Sequence, residues 1–200
     1  MKKNKKNEIK NLIKYLFETG SLMRVERSGW KIAKIDQPES VAEHSHHMAV
    51  IAFTLAKLEK KKNAHEITTV ALFHDLIETR IQDKHKIASR YMPTPKEVSE
   101  KVMKDQFSLL PTKISEEVQN LIVKTYKKER AILKDADYLQ TAFRAKEYYD
   151  IGYKDALSWI ERIGKVLKTK SAKQIYKQLV KTNSNCWWQG LKIDVKELKY

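Results

Sequence analysis

Four residues of this chain have the side-chain chemistry of a divalent-metal site. They are His44 within Ser40-Val41-Ala42-Glu43-His44-Ser45, the adjacent pair His74-Asp75, and Asp137 within Lys134-Asp135-Ala136-Asp137. Two imidazoles and two carboxylates drawn from three separated segments can supply the protein share of a transition-metal shell, and an ion held that way is a common source of hydrolytic power. Each residue alone has an ordinary explanation. A lone inward His is hydrogen-bonded in many cores, and a His-Asp dipeptide arises by chance. Their joint occurrence, with Glu78 four residues after His74, points to chemistry.

The elements that must position these residues read as helices. Only five Gly and four Pro occur in 200 residues, and long stretches are rich in Lys, Glu, Leu, Ile and Ala, the composition of an all-α protein. Residues 7–19 carry an apolar stripe (Ile9, Leu12, Ile13, Leu16, Phe17) with Gly20 as a C-cap. An irregular stretch follows over 21–39. Ser40 with Glu43 forms a capping box, which accounts fully for Glu43 and leaves it no catalytic role. The helix it opens carries His44 on the same stripe as Met48 and Ile51. Asn63 with Glu66 opens the next, which puts His74 on the inward face shared with Val70 and Ala71. Thr94-Pro95-Lys96-Glu97 predicts a further capping box, and Ser115 a cap after Pro111. Helices are also expected over 129–149, 154–167 and 171–181. In the first of these Asp137 faces inward between Leu133 and Gln140 while Asp135 is solvated. His46, His47 and His65 are expected at the surface or the site edge. A buried carboxylate without compensation costs several kcal/mol, so inward Asp75 and Asp137 require a cation or strong donors.

Length and 42% hydrophobic content suit one compact domain. The expected division is a motif core over about 22–149 and a C-terminal helical extension over 150–200. A single cysteine, Cys186, allows no internal disulfide and excludes a Cys-based zinc site. The basic start is not followed by an apolar run long enough for a signal peptide or membrane span. A cytoplasmic setting without membrane attachment is expected. The formal charge of +15 raises a nucleic-acid partner. However, only 7 of the 40 basic residues are Arg and the remaining 33 are Lys spread over nearly every segment, a pattern of solvated helix faces. The adjacent Trp187-Trp188 fits core packing, with an interface as the alternative.

Four segments carry a closer resemblance: Leu22-Met23-Arg24-Val25 with Arg27-Ser28-Gly29-Trp30; Pro38-Glu39-Ser40-Val41-Ala42-Glu43-His44-Ser45; Ala71-Leu72-Phe73-His74-Asp75-Leu76-Ile77-Glu78; and Leu133-Lys134-Asp135-Ala136-Asp137. In this order they resemble the HD-domain superfamily of metal-dependent phosphohydrolases, and more closely its 5'-deoxynucleotidase branch. The resemblance implies a compact helical bundle in which His44, His74, Asp75 and Asp137 hold one divalent transition metal (manganese, cobalt, iron or nickel). It implies Glu78 as the catalytic carboxylate, Asp83 at the substrate sugar and Trp30 near the substrate pocket. Members of the branch often have Gly where this chain has Gln82, and some have an Arg where Gly29 stands, so Arg27 or Arg24 is the expected phosphate contact. Two-metal members add His ligands beyond the His-Asp pair, and here the last His is His85, which favours one metal. The implied activity is hydrolysis of deoxynucleoside 5'-monophosphates by a homodimer. An HD-fold hydrolase of another nucleotide, such as guanosine tetraphosphate, and a non-catalytic basic nucleic-acid-binding protein are the alternatives.

Overall fold

The computed structural model describes residues 2–191, and it is helical throughout, with no strand among the described residues and one isolated bridge between Glu26 and Ser40. Helix α1 (Lys2–Gly20) leads through a short 3-10 turn (Ser21–Arg24) to α2 (Gly29–Ile32). Then come α3 (Val41–Leu58), α4 (Ala64–Phe73), α5 (Glu78–Ile81), α6 (Lys86–Tyr91) and α7 (Lys96–Phe107). The long α8 (Thr112–Asp150), then α9 (Leu157–Gly164) and α10 (Lys170–Leu179), complete the bundle.

The centre is a three-helix packing of α3, α4 and α8. Met48, Ala52 and Leu55 of α3 meet Ile67 and Val70 of α4 and Leu133, Ala136 and Leu139 of α8, all buried. Small residues at these crossings let the backbones approach closely enough for short polar side chains on the same faces to meet. That proximity brings His44, His74 and Asp137 to one place. A second cluster packs Trp30 and Ile35 on Ala145, Tyr148 and Ile160. A third packs Tyr15, Leu22 and Val25 on Val41, Leu76 and Phe107, seating the segment that carries His74 and Glu78.

Several local expectations are corrected. The Ser40–Glu43 capping box is present in both directions, but Asn63, Thr94 and Ser115 cap nothing. Helix α4 starts without a side-chain cap, Pro95 itself occupies the position before α7, and Pro111 precedes α8. Ser115 therefore lies one turn inside the first of two helical runs that make up α8, and they meet where the sequence starts a new helix, at the kink of Glu129 (φ −116°, ψ 23°). Its buried carboxylate pairs with Lys61 Nζ at 2.8 Å, which ties the segment after α3 to the kink. Gly20 ends α1 in right-handed conformation and not as a left-handed cap. The α1 stripe faces outward: Phe17 is 78% exposed, and Ile9, Ile13 and Leu16 are about half exposed. The tryptophan pair is likewise exposed and not core.

Asp135 is the clearest correction. It is buried, and its carboxylate accepts from the backbone N–H groups of Lys168 and Thr169 at 2.6–3.1 Å. The acid satisfies the orphan donors where the chain turns into α10. An inward acid thus needs no metal when backbone N–H groups converge on it.

Candidate metal centre

Helix α4 ends at Phe73, so His74 is its C-cap and Asp75 lies in the turn that follows. His74 Nδ1 donates to the Ala71 carbonyl at 2.7 Å, so Nε2 is the ring nitrogen that faces inward. His44 sits one turn into α3 and is fully buried. Its Nε2 lies 3.2 Å from His74 Nε2, 3.5 Å from Asp137 Oδ1 and 3.7 Å from Asp75 Oδ2. Asp75 Oδ2 is 2.9 Å from His74 Nε2. One ligand atom each from His44, His74 and Asp75 falls within 4.8 Å of the others, and Asp137 closes the group from α8. Imidazole nitrogens and carboxylate oxygens turned toward one point are the donor set of a divalent transition ion. The residues present fit such an ion.

The electrostatics carry the same message. Burial, reinforced by the charges of Arg27 and His74, lowers the His44 pKa to about 3, so the ring is neutral and able to ligate. Burial opposes charge on His74 too, but Asp75 outweighs it and raises that pKa. Burial alone would raise the Asp75 carboxyl, yet His74 and then Arg27 hold it well below its ordinary range. The point between these groups attracts positive charge.

His74, Asp75 and Asp137 line a cavity of about 880 Å³ together with Arg27, Trp30, Glu78, Asp83, Lys134 and Tyr138, with His44 buried behind them, a size suited to a small organic ligand. Arg27 Nη1 reaches Asp75 Oδ2 at 3.4 Å and Lys134 Nζ reaches Asp137 Oδ2 at 3.4 Å, so one cation flanks each acid. Arg24 is exposed and does not line the cavity. Arg27 is the arginine beside the cluster while Arg162 of α9 lines the same cavity, and Lys134 is a cation that sequence reasoning missed. Its position three residues before Asp137, one helical turn away, was the available signal.

Glu78 opens α5 instead of continuing the helix of His74. Burial first, then Asp75 and Asp83, push its pKa up to about 9, and its Oε2 is buried without a protein hydrogen-bond partner. A carboxyl that keeps its proton at neutral pH, facing a cavity, is suited to acid–base work. Asp83 accepts from Ser28 N–H at 2.6 Å and Ser28 Oγ at 2.8 Å, and Ser28 Oγ accepts from His85 N–H. Gln82, just before it, has φ 61° and ψ 157°, a region nearly reserved for glycine. Of the remaining histidines, His46 and His65 are exposed and His47 packs half-buried on Phe143. None of the three joins the cluster.

The chain matches the HD domain over residues 19–179. The 5'-deoxynucleotidase HDDC2 of Mus musculus is 30% identical over 143 residues, covering 70% of this chain and 71% of the mouse protein. A crystal structure from structural genomics, APC5600, is 34% identical with a TM-score of 0.71, covering 90% of this chain and 99% of that one. A conserved hypothetical protein from Pyrococcus furiosus is 27% identical with a TM-score of 0.68, covering 85% and 99%. With the family matched across most of its helices, the chain belongs to the HD-domain family.

Proposed function

We propose that this protein is a metal-dependent phosphomonoesterase that hydrolyses deoxynucleoside 5'-monophosphates to deoxynucleoside and phosphate. The observation that carries the reading is the convergence of His44, His74, Asp75 and Asp137 at the edge of a nucleotide-sized cavity that Glu78 also lines, one oxygen of its carboxyl buried without a partner. Several curated relatives bear the name 5'-deoxynucleotidase, which supports the substrate class. His44, His74, Asp75 and Asp137 would hold one ion, and their mixed nitrogen and oxygen set suits manganese, iron, cobalt or nickel. Bound there, the ion supplies Lewis acidity toward water and charge neutralisation toward phosphate.

The chain's own groups do the rest. Arg27 and Lys134 offer positive charge to phosphate oxygens from two sides of the cluster, Arg27 standing in where Gly29 carries no side chain. Glu78 holds a proton on its carboxyl and can pass it to the departing sugar oxygen. Asp83, fixed by Ser28 through Oδ2, offers its remaining oxygen to a sugar hydroxyl. Trp30 closes the wall against solvent.

We read the protein as a cytoplasmic homodimer built of one HD-type unit. The outward apolar face of α1, with Ile9, Ile13, Leu16 and Phe17, supports a second copy as its cover. No helix among the described residues is long and apolar enough to cross a membrane. The deciding experiment is phosphate release across a panel of ribo- and deoxynucleoside monophosphates, each with added manganese, cobalt or nickel. The expected result is turnover of the deoxy substrates that depends on metal. No release from any of them with any metal refutes the function.

A further inference from the structure

Glu39 lies under the site with its side chain fully buried. Its Oε1 accepts from Trp30 Nε1 at 3.0 Å, and its Oε2 accepts from Gln140 Nε2 at 2.7 Å and Arg144 Nε at 3.0 Å. Its backbone N–H donates to the Tyr148 hydroxyl at 2.9 Å. The two ends of an amide are told apart by their partners. A carboxylate paired with arginine only accepts, so Gln140 must turn its NH2 toward Glu39. Its carbonyl oxygen then faces the other way, 2.5 Å from His44 Nδ1. That oxygen accepts, so Nδ1 carries the ring hydrogen and Nε2 keeps the lone pair. Nε2 is the atom that faces His74 and Asp137. The reversed amide would move the hydrogen to Nε2 and aim it into the cluster, where the ring could not ligate.

We propose that Glu39, acting through Gln140, is the positioning residue that fixes the ligating tautomer of His44, while its other oxygen seats Trp30. One carboxylate thereby registers a metal ligand against the wall of the substrate cavity. This rests on the metal-centre reading above. It assigns Glu39 and Gln140 a role distinct from filling the core, because a purely structural pair would alter folding stability and leave metal affinity alone.

The test uses the full chain. Nitrogen-15 imidazole spectra of the metal-free protein, with His44 assigned by its loss in His44→Gln, are expected to show the hydrogen on Nδ1. Cobalt titration followed by visible absorption is expected to give an affinity about tenfold to a hundredfold weaker for Gln140→Leu, the usual effect of removing the partner that orients a ligating His. The isosteric Glu39→Gln, which sets an NH2 against one of the converging donors, is expected to weaken cobalt binding by less and carries the comparison should Gln140→Leu not fold. Far-UV helicity of the metal-free variants accompanies each titration. Cobalt affinity within about twofold of the parent in the folded variants, or a His44 hydrogen on Nε2, overturns the proposal. A parent that binds no cobalt refutes the metal centre itself, whereas a parent that binds it with unchanged variants refutes the relay alone.

Discussion

Replacing Gln82 with glycine is expected to stabilise the protein. The residue caps α5 with φ 61° and ψ 157°, where a Cβ costs about 1–3 kcal/mol. Glycine removes that strain but loses about 0.5–1 kcal/mol to the greater freedom of the unfolded chain. The Gln82 side chain is exposed and makes no hydrogen bond, while its backbone N–H bond to the Glu78 carbonyl at 2.9 Å is kept by any residue other than proline. The balance is a gain of about 1 kcal/mol, a rise of roughly 2–4 °C in Tm for a chain of this size. Thermal unfolding of the metal-free protein by circular dichroism measures it, with Gln82→Ala as control because alanine keeps the Cβ and hence the strain. A Gln82→Gly variant that melts below the parent, or an alanine variant that gains as much as glycine, refutes the reasoning.

Asp75→Ala is expected to lose bound metal and phosphatase activity together while far-UV helicity survives, read by metal analysis and phosphate release on the same sample. Glu78→Gln is expected to lower kcat by about 10²–10⁴ with cobalt affinity preserved, and full activity would remove Glu78 from the reaction. Lys61→Met leaves the buried Glu129 carboxylate without its partner, with an expected loss of about 1–3 kcal/mol in denaturant unfolding. Glu18 is held below its usual pKa of 4.5, chiefly by hydrogen bonds from Arg80 at 2.6 and 2.8 Å that outweigh burial. Its contribution is present above that usual value and is lost as pH falls through the lower folded value. Glu18→Gln is therefore expected to flatten the dependence of Tm on pH below about 4.5 relative to the parent.

His44 and Asp137 of the candidate cluster were legible in the sequence as polar residues on apolar helical stripes, and the capping box at Ser40 fixes the phase that turns His44 inward; Asp75 lies in the turn after α4, beyond the reach of helical periodicity. Asp135 defeated the same logic. Periodicity can say which acid faces the core, but not which backbone donors another segment brings to meet it, and those came from residues 168 and 169. The exposed stripe of α1 has the pattern of a buried helix with no core to receive it among the described residues. Glu39 and Gln140 were invisible as a pair because their relation spans 101 positions and exists only after folding. Glu39 did stand in a recognisable Pro-Glu-Ser segment, and Gln140 stood one turn from Asp137. Those two positions were the signal. Turn geometry at Gln82 was readable only as a departure from glycine, and the backbone angles supply its physical meaning.

Helix α8 carries Asp137, Gln140, Arg144 and Tyr148 at intervals of three, four and four, so a single face presents a carboxylate beside His44, the amide that meets the other nitrogen of His44, and two groups that hold Glu39. The kink at Glu129 lies before all of them, so from there onward the helix works as a ruler. Adding or deleting one residue between 130 and 136 would turn everything beyond it by about 100° relative to the kink and dismantle all four contacts in one event. Substitutions can be absorbed position by position along this stretch. A change in its length cannot.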